Sequence, residues 1–162
     1  MTLEKTKKDL EKISHEYIRR RDGIDSEIKG YCFDCGKYGE GRDFQAGHFF
    51  PSGNCGFLLR YHPKNMHGQY SGCNCYYNTE QVKINYTQKF INKYGEEYLD
   101  YFRKLKIKSQ ALKPYKDFYE TLLNLYIEAL EFVKLQNDIT NINGRYDYIK
   151  KEKEIEEFIE NY

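Results

Sequence analysis

Cys32-Phe33-Asp34-Cys35-Gly36, answered far downstream by Cys73-Asn74-Cys75, is the most constrained chemistry in the chain. Two thiols three residues apart, closed by a glycine that lets the backbone turn beneath them, aim both sulfurs at one metal ion. A regular zinc site would repeat the pair. The downstream Cys-x-Cys has a different spacing and weakens the zinc reading, while Cys55, alone between Asn54 and Gly56, has the context of a free buried thiol.

The composition around these cysteines points the same way. Nine of the 12 glycines, all five cysteines and three of the four histidines fall between Gly30 and Asn78, among short apolar runs broken by turns. So small and loop-rich a segment cannot hold itself together by burial, and a metal is the usual remedy.

The rest of the chain bounds the problem. At 162 residues it has the length of one domain with extensions. With 26 Lys+Arg against 25 Asp+Glu the net charge is +1, so a polyanion partner needs a local basic patch. Aromatic residues at 17% exclude global disorder. No apolar run approaches the roughly 18 residues of a membrane span, and Met1 to Asp22 is charged throughout, so the expectation is no membrane and a cytoplasmic location. An odd cysteine count in a reducing compartment favours metal or free thiols over disulfides.

Helical periodicity occupies both flanks. Leu3, Leu10, Ile13 and Tyr17 form a stripe that predicts an amphipathic helix over 2–22, ending in Arg19-Arg20-Arg21, a triplet that suits the negative end of a helix dipole. Val82, Tyr86, Phe90, Ile91 and Tyr94 predict a helix that stops at Gly95 and starts between Cys73 and Thr79. A short helix carries Tyr98 to Leu105, and a longer one begins at Pro114. Asn141 to Gly144 reads as a break, and Tyr148 to Tyr162 as a surface helix or a homodimer contact. Arg103, Lys104, Lys106, Lys108, Lys113 and Lys116 run without an intervening acid, either a solvated face or a nucleic-acid stripe. The expected organisation is α+β: helix and linker over 1–28, a central module over 29–95, and a helical extension over 96–162.

Within the module, Gln45 to Pro51 reads as a short strand with His48 near its end, and His is the side chain best able to take a proton near neutral pH. Phe57 to His62 reads as a second strand and Pro63 to Gln69 as a loop, in which the Asn65 amide can bridge two backbone segments. Asn74 would project from the first turn of the following helix. Strand with His, strand, loop with Asn, helix with an amide: this is a two-strand, one-helix metal-nuclease arrangement.

The series Cys32-x-x-Cys35-Gly36, Ala46-Gly47-His48-Phe49, Leu59-Arg60-Tyr61, Asn65-x-His67-Gly68-Gln69, Cys73-Asn74 and Tyr94-Gly95 resembles the phage NinG (Rap) recombination proteins, a branch of the HNH endonucleases. The resemblance covers Tyr31 to Gly95. It implies a treble-clef zinc scaffold around a ββα-metal (HNH-like) core, a nuclease centre using Mg²⁺ or Mn²⁺, and action on branched DNA in recombination or replication. It makes His48 the base that activates water, Asn65 the residue fixing the loop that holds it, and Asn74 a catalytic-metal ligand, with Arg60 on phosphate. Zn²⁺ would be held by Cys32, Cys35 and Cys73. Where the family has a further Cys after His-Gly-Gln, this chain has Tyr70, so either Cys75, ahead of His67, supplies the fourth ligand or the site is incomplete. Many HNH enzymes also carry a metal-binding Asp just before the base, where this chain has Gly47. DNA contacts fall to Arg60 and Lys64 in the module and to Lys104, Lys106 and Lys108 beyond it. The alternative is a zinc module that binds DNA or protein with a degraded centre. Tyr76 and Tyr77 could stack on unpaired bases.

Overall fold

A computed structural model describes residues 1–75, 79–135 and 142–162, with the side chains of 142–147 left out, so the Tyr76–Tyr77 expectation lies outside the described residues. The N-terminal stripe forms α1, Leu3–Arg21, capped by the Thr2 hydroxyl, which accepts the Lys5 N–H at 3.3 Å. Its Leu10, Tyr17 and Ile18 are buried against α6, Lys116–Leu135, through Leu122, Tyr126, Ala129 and Val133. The last helix, α7, Ile142–Asn161, completes this bundle with Ile155 and Ile159, both wholly buried. Ile155 and Ile159 of this helix are thus covered within the chain, while Ile149 stays exposed. The break expected at Asn141 to Gly144 is corrected in its second part: Ile142 to Gly144 already belong to α7, while Asn141 lies outside the described residues.

Two antiparallel hairpins stand beside the bundle. In the first, β1, Lys29–Tyr31, pairs with β2, Tyr38–Glu40, and the Cys32–Cys35 knuckle makes the turn, with Gly36 at φ +76. In the second, β3, Phe44–His48, pairs with β4, Met66–Tyr70, in the register Ala46 to Gly68 and His48 to Met66. The second strand of this hairpin is therefore Met66–Tyr70, and the expected strand at Phe57 to His62 is corrected to a short helix, α2, Phe57–Arg60. Ser109 explains the difference: its hydroxyl accepts the Leu58 N–H at 2.9 Å, which satisfies a donor at the start of α2 and leaves Leu58 and Leu59 pointing into the core. The expected loop at Pro63 to Gln69 shrinks to a 3-10 turn at Pro63–Asn65.

The helix expected to stop at Gly95 and to start between Cys73 and Thr79 is α4, Glu80–Tyr94, with Thr79 at its N-cap; a separate short helix, α3, Ser71–Cys75, precedes it, and α5, Glu97–Ala111, follows. Asn74 thus belongs to α3, directly after β4.

The Arg19-Arg20-Arg21 triplet has a larger part than a dipole partner. Arg21 is buried, bonded to Asp22, Glu152 of α7 and the carbonyls of Pro63 and Met66, while Asp22 accepts the Gly68 N–H at 2.8 Å. Burial alone would raise the Asp22 carboxyl, but the Arg21 guanidinium overrides it and holds it far below the usual carboxylate range. Arg19 reaches the Phe44 carbonyl at 2.6 Å and that of Gly41. One helix end therefore fastens the bundle to the second hairpin.

Candidate metal and histidine centre

Cys32 at the end of β1, Cys35 in the knuckle and Cys73 on α3 bring three sulfurs within 4.8 Å of one another, with 3.3 Å between those of Cys35 and Cys73. Thiolates around a tetrahedral zinc stand about 3.8 Å apart, so this donor set fits the ion. Burial pushes the Cys32 and Cys73 thiols up; Cys35 lies below its ordinary value despite burial, because the Lys37 N–H and the two neighbouring thiols favour its thiolate. Such a group sharing protons is poised to exchange them for a cation.

The two expected fourth ligands do not join the group. Cys75 is exposed as the last residue of α3 and lies outside the three-sulfur cluster. His67 is fully buried, its ring stacked on Phe33 at 3.9 Å and its two nitrogens taken by the hydroxyls of Tyr86 at 3.0 Å and Tyr94 at 2.8 Å. It holds the hairpin to α4.

His48 ends β3 on the opposite face. Its Nε2 lies 3.0 Å from the Arg60 carbonyl oxygen, which makes that nitrogen the protonated donor and leaves the lone pair on Nδ1. Burial, with the nearby His15 ring adding to it, lowers the His48 pKa to about 4, so the imidazole is neutral over the physiological range. Asn65, also fully buried, keeps this carbonyl in place. Its Oδ1 accepts the Phe50 N–H at 2.8 Å and its Nδ2 donates to the carbonyls of Phe50 and Leu59. The strand exit and the helix bearing Arg60 are joined by one amide.

Asn74 donates from Nδ2 to Gln45 Oε1 at 2.8 Å. A Cβ at Gly47 would stand 1.5 Å from Gln69 Oε1 and 3.0 Å from Asn74 Oδ1, so glycine there makes room for two amide oxygens. Gln69 is fully buried and neither atom of its amide has a hydrogen-bond partner among the described residues. The Gln69 amide oxygen is thus an unsatisfied buried acceptor with the Asn74 amide oxygen close by, and oxygen donors are the kind a hard cation such as Mg²⁺ or Mn²⁺ takes.

The basic residues separate. The Arg60 guanidinium pairs with Glu11 at 3.0 Å. The Lys64 ammonium is held by Glu156 at 2.7 Å and the Tyr98 hydroxyl at 2.8 Å, facing α7. Lys108 donates to the Glu160 carbonyl, whereas Lys104 and Lys106 have no acidic partner among the described residues. Of that run, Lys108 reaches α7 through a backbone carbonyl.

Three residues passed over in the sequence stand at this centre: His15, whose ring meets that of His48 edge-on at 5.5 Å, Gln45 and Gln69. His15 is on α1, far from the module in sequence, and only its side of the helix could have marked it.

The family model described as bacteriophage lambda NinG protein matches residues 2–106. The match thus takes in α1, both hairpins, α4 and most of α5, reaching beyond the stretch that carries the motifs. A search of curated proteins and a search of solved structures each found no match.

Proposed function

Because the chain belongs to the bacteriophage lambda NinG family, we propose that it is a metal-dependent endonuclease that cuts branched DNA in phage recombination or replication. The observation that carries this reading is the His48 clamp: a neutral imidazole, oriented by the Arg60 carbonyl, on a loop fastened by Asn65. A ββα-metal (HNH-like) centre on a treble-clef zinc scaffold is the finer form of it.

Phosphodiester hydrolysis needs a stronger nucleophile than water and relief of the charge that builds on phosphorus and on the leaving oxygen. His48 Nδ1 takes the proton from a water as its oxygen bonds to phosphorus, while Nε2–H stays on the Arg60 carbonyl and steadies the imidazolium that forms. The bond from phosphorus to the leaving sugar oxygen then breaks, and that oxygen takes up a proton from solvent water. Asn65 acts through His48 by holding the ring's acceptor, and is a positioning residue. Gln69 and Asn74 would hold Mg²⁺ or Mn²⁺ beside Gly47, and the ion would supply neutralisation of the developing negative charge. Zinc on Cys32, Cys35 and Cys73 would tie the knuckle to α3 and so fix Asn74, the next residue in the chain.

A nicking assay on linear and branched DNA with Mg²⁺ or Mn²⁺ tests the reading: cleavage that prefers branches and is lost in His48→Ala supports it. One observation favours the second reading, a zinc module that binds DNA or protein without cutting. The oxygens at Gly47 are amides, which bind divalent cations less strongly than carboxylates. A wild type inert on every DNA structure with either metal would select it.

A further inference from the structure

Between α1, the unpaired edge of β3 and α3 lies a cleft of about 410 Å³, lined by His15, Arg19, Arg42, Gln45, Ala46 and Asn74. We propose that this cleft seats a backbone phosphate of the DNA, held by Arg42, Arg19 and the ring N–H of His15, and that α1 is a wall of the substrate site. The inference rests on the reading of the protein as a DNA-acting enzyme and names residues outside its motifs.

Its charge and donors suit a phosphate oxygen. Neither arginine has a carboxylate within salt-bridge distance among the described residues, in a chain where Arg20, Arg21, Arg60 and Arg103 all do. Arg19 is pinned by the carbonyls of Phe44 and Gly41, so its charge is positioned without being neutralised. Arg42 is exposed and free to close on a ligand. His15 makes no hydrogen bond among the described residues, and its ring touches His48. A phosphate in this cleft lies beside both the His48 pair and Asn74, where a nuclease must place the bond it cuts. Another cleft, of about 450 Å³, has the opposite balance: four glutamates, Glu152, Glu156, Glu157 and Glu160, line it against two lysines, Lys64 and Lys153, which disfavours a polyanion.

Binding of the full chain to a branched DNA, followed by fluorescence anisotropy with no Mg²⁺ or Mn²⁺ added, tests this without cleavage. Arg42→Gln removes an exposed side chain with no partner to lose, so the fold is spared; it should cost about tenfold in affinity and lower the salt slope by about 0.9. Lys153→Gln, in the acidic cleft, is the control and should change neither. His15→Leu should weaken binding, and His15→Asn, which keeps a donor, should recover part of it. Wild-type affinity and salt slope in Arg42→Gln and His15→Leu would overturn the proposal, as would a loss no larger than that of Lys153→Gln, or a preference for an RNA duplex over DNA. If these variants bind and cut as the wild type does, the cleft fails while the nuclease reading stands. If the wild type binds through Arg42 but never cuts, the nuclease reading fails and the cleft remains.

Discussion

The hairpin β3–β4 presents a histidine on each face, and the two are treated in opposite ways. On the α1 face His48 spends one nitrogen on a backbone carbonyl and keeps the other free. On the α4 face His67 spends both on tyrosine hydroxyls beneath a stacked Phe33. Burial lowers the pKa of both rings, so a depressed value does not distinguish the working residue from the structural one. What distinguishes them is the uncommitted Nδ1 of His48 and its place beside a cleft.

The largest effect should come from taking away the metal that Cys32, Cys35 and Cys73 could hold on the α3 side. Structural zinc contributes about 10–16 kcal/mol to folding in small metal modules. Chelation, or Cys73→Ser, should therefore unfold the hairpins and knuckle while α1, α6 and α7 keep their helicity, since that bundle buries Leu10, Leu122, Tyr126 and Ile155 without help from a metal. Circular dichroism alongside hydrogen exchange resolves the two parts. Their melting together would show that the bundle depends on the metal too.

Next in size is the α1 face. His48→Ala should lower cleavage by about 10²–10⁴-fold, the range of a lost general base, with little change in DNA affinity. Because the wild-type ring has its pKa near 4, cleavage should hold from neutral pH down to about 5 and fall only toward 4. A rate that drops through pH 6.5 would mean that the ring is more open to water than its burial implies.

His67→Leu, on the other face, should cost about 1–3 kcal/mol of stability, since it takes the hydrogen-bond partner of the Tyr94 hydroxyl and one of the partners of the Tyr86 hydroxyl, which also donates to the Gly47 carbonyl. Activity per folded molecule should survive. Denaturant titration with a single-turnover assay separates the two quantities, and a selective loss of activity would reverse the roles assigned to the faces.

The sequence was most legible where chemistry is local. Cys32 and Cys35 with Gly36 form a knuckle by spacing alone, and the stripes of α1, α4 and α6 were visible because helices repeat. Phe57 to His62 reads as a strand because the run is short and apolar, and only Ser109, 51 residues on, favours helix at Leu58, while Met66 to Tyr70 reads as loop because its His, Gly and Gln carry no apolar alternation. The pairing of Lys64 with Glu156 is not legible because Glu156 lies on the last helix. His15 and Gln69 were invisible for the same reason: their roles depend on which element packs against β3.

Acid should unfold the protein gradually, with both faces contributing. His48 and His62 have folded pKa values of about 4 and 3, and that of His67 is also well below 6.5, in each case through burial first. Above pH 6.5 all three are neutral in folded and unfolded chains, and stability is independent of them. Below it the unfolded chain takes up protons that the folded chain refuses, so stability falls by about 1.4 kcal/mol per pH unit for each ring until its folded pKa is reached. Denaturant midpoints at pH 7, 6 and 5 check the slope, and His67→Leu should make it shallower by one ring's share.

The smallest effect concerns Arg60, expected from the sequence to bind phosphate. Its guanidinium is already committed to Glu11 in a half-exposed pair, worth about 0–1 kcal/mol. The part of Arg60 that meets His48 is the backbone carbonyl, which every substitution retains. Arg60→Ala should therefore leave the cleavage rate and the orientation of His48 intact and change DNA affinity by no more than about threefold, against the tenfold expected at Arg42. A larger loss at Arg60 than at Arg42 would mean that Arg60 leaves Glu11 when DNA arrives, and would move the phosphate from the His15 cleft to the groove that Arg60 lines with Lys7 and Tyr119.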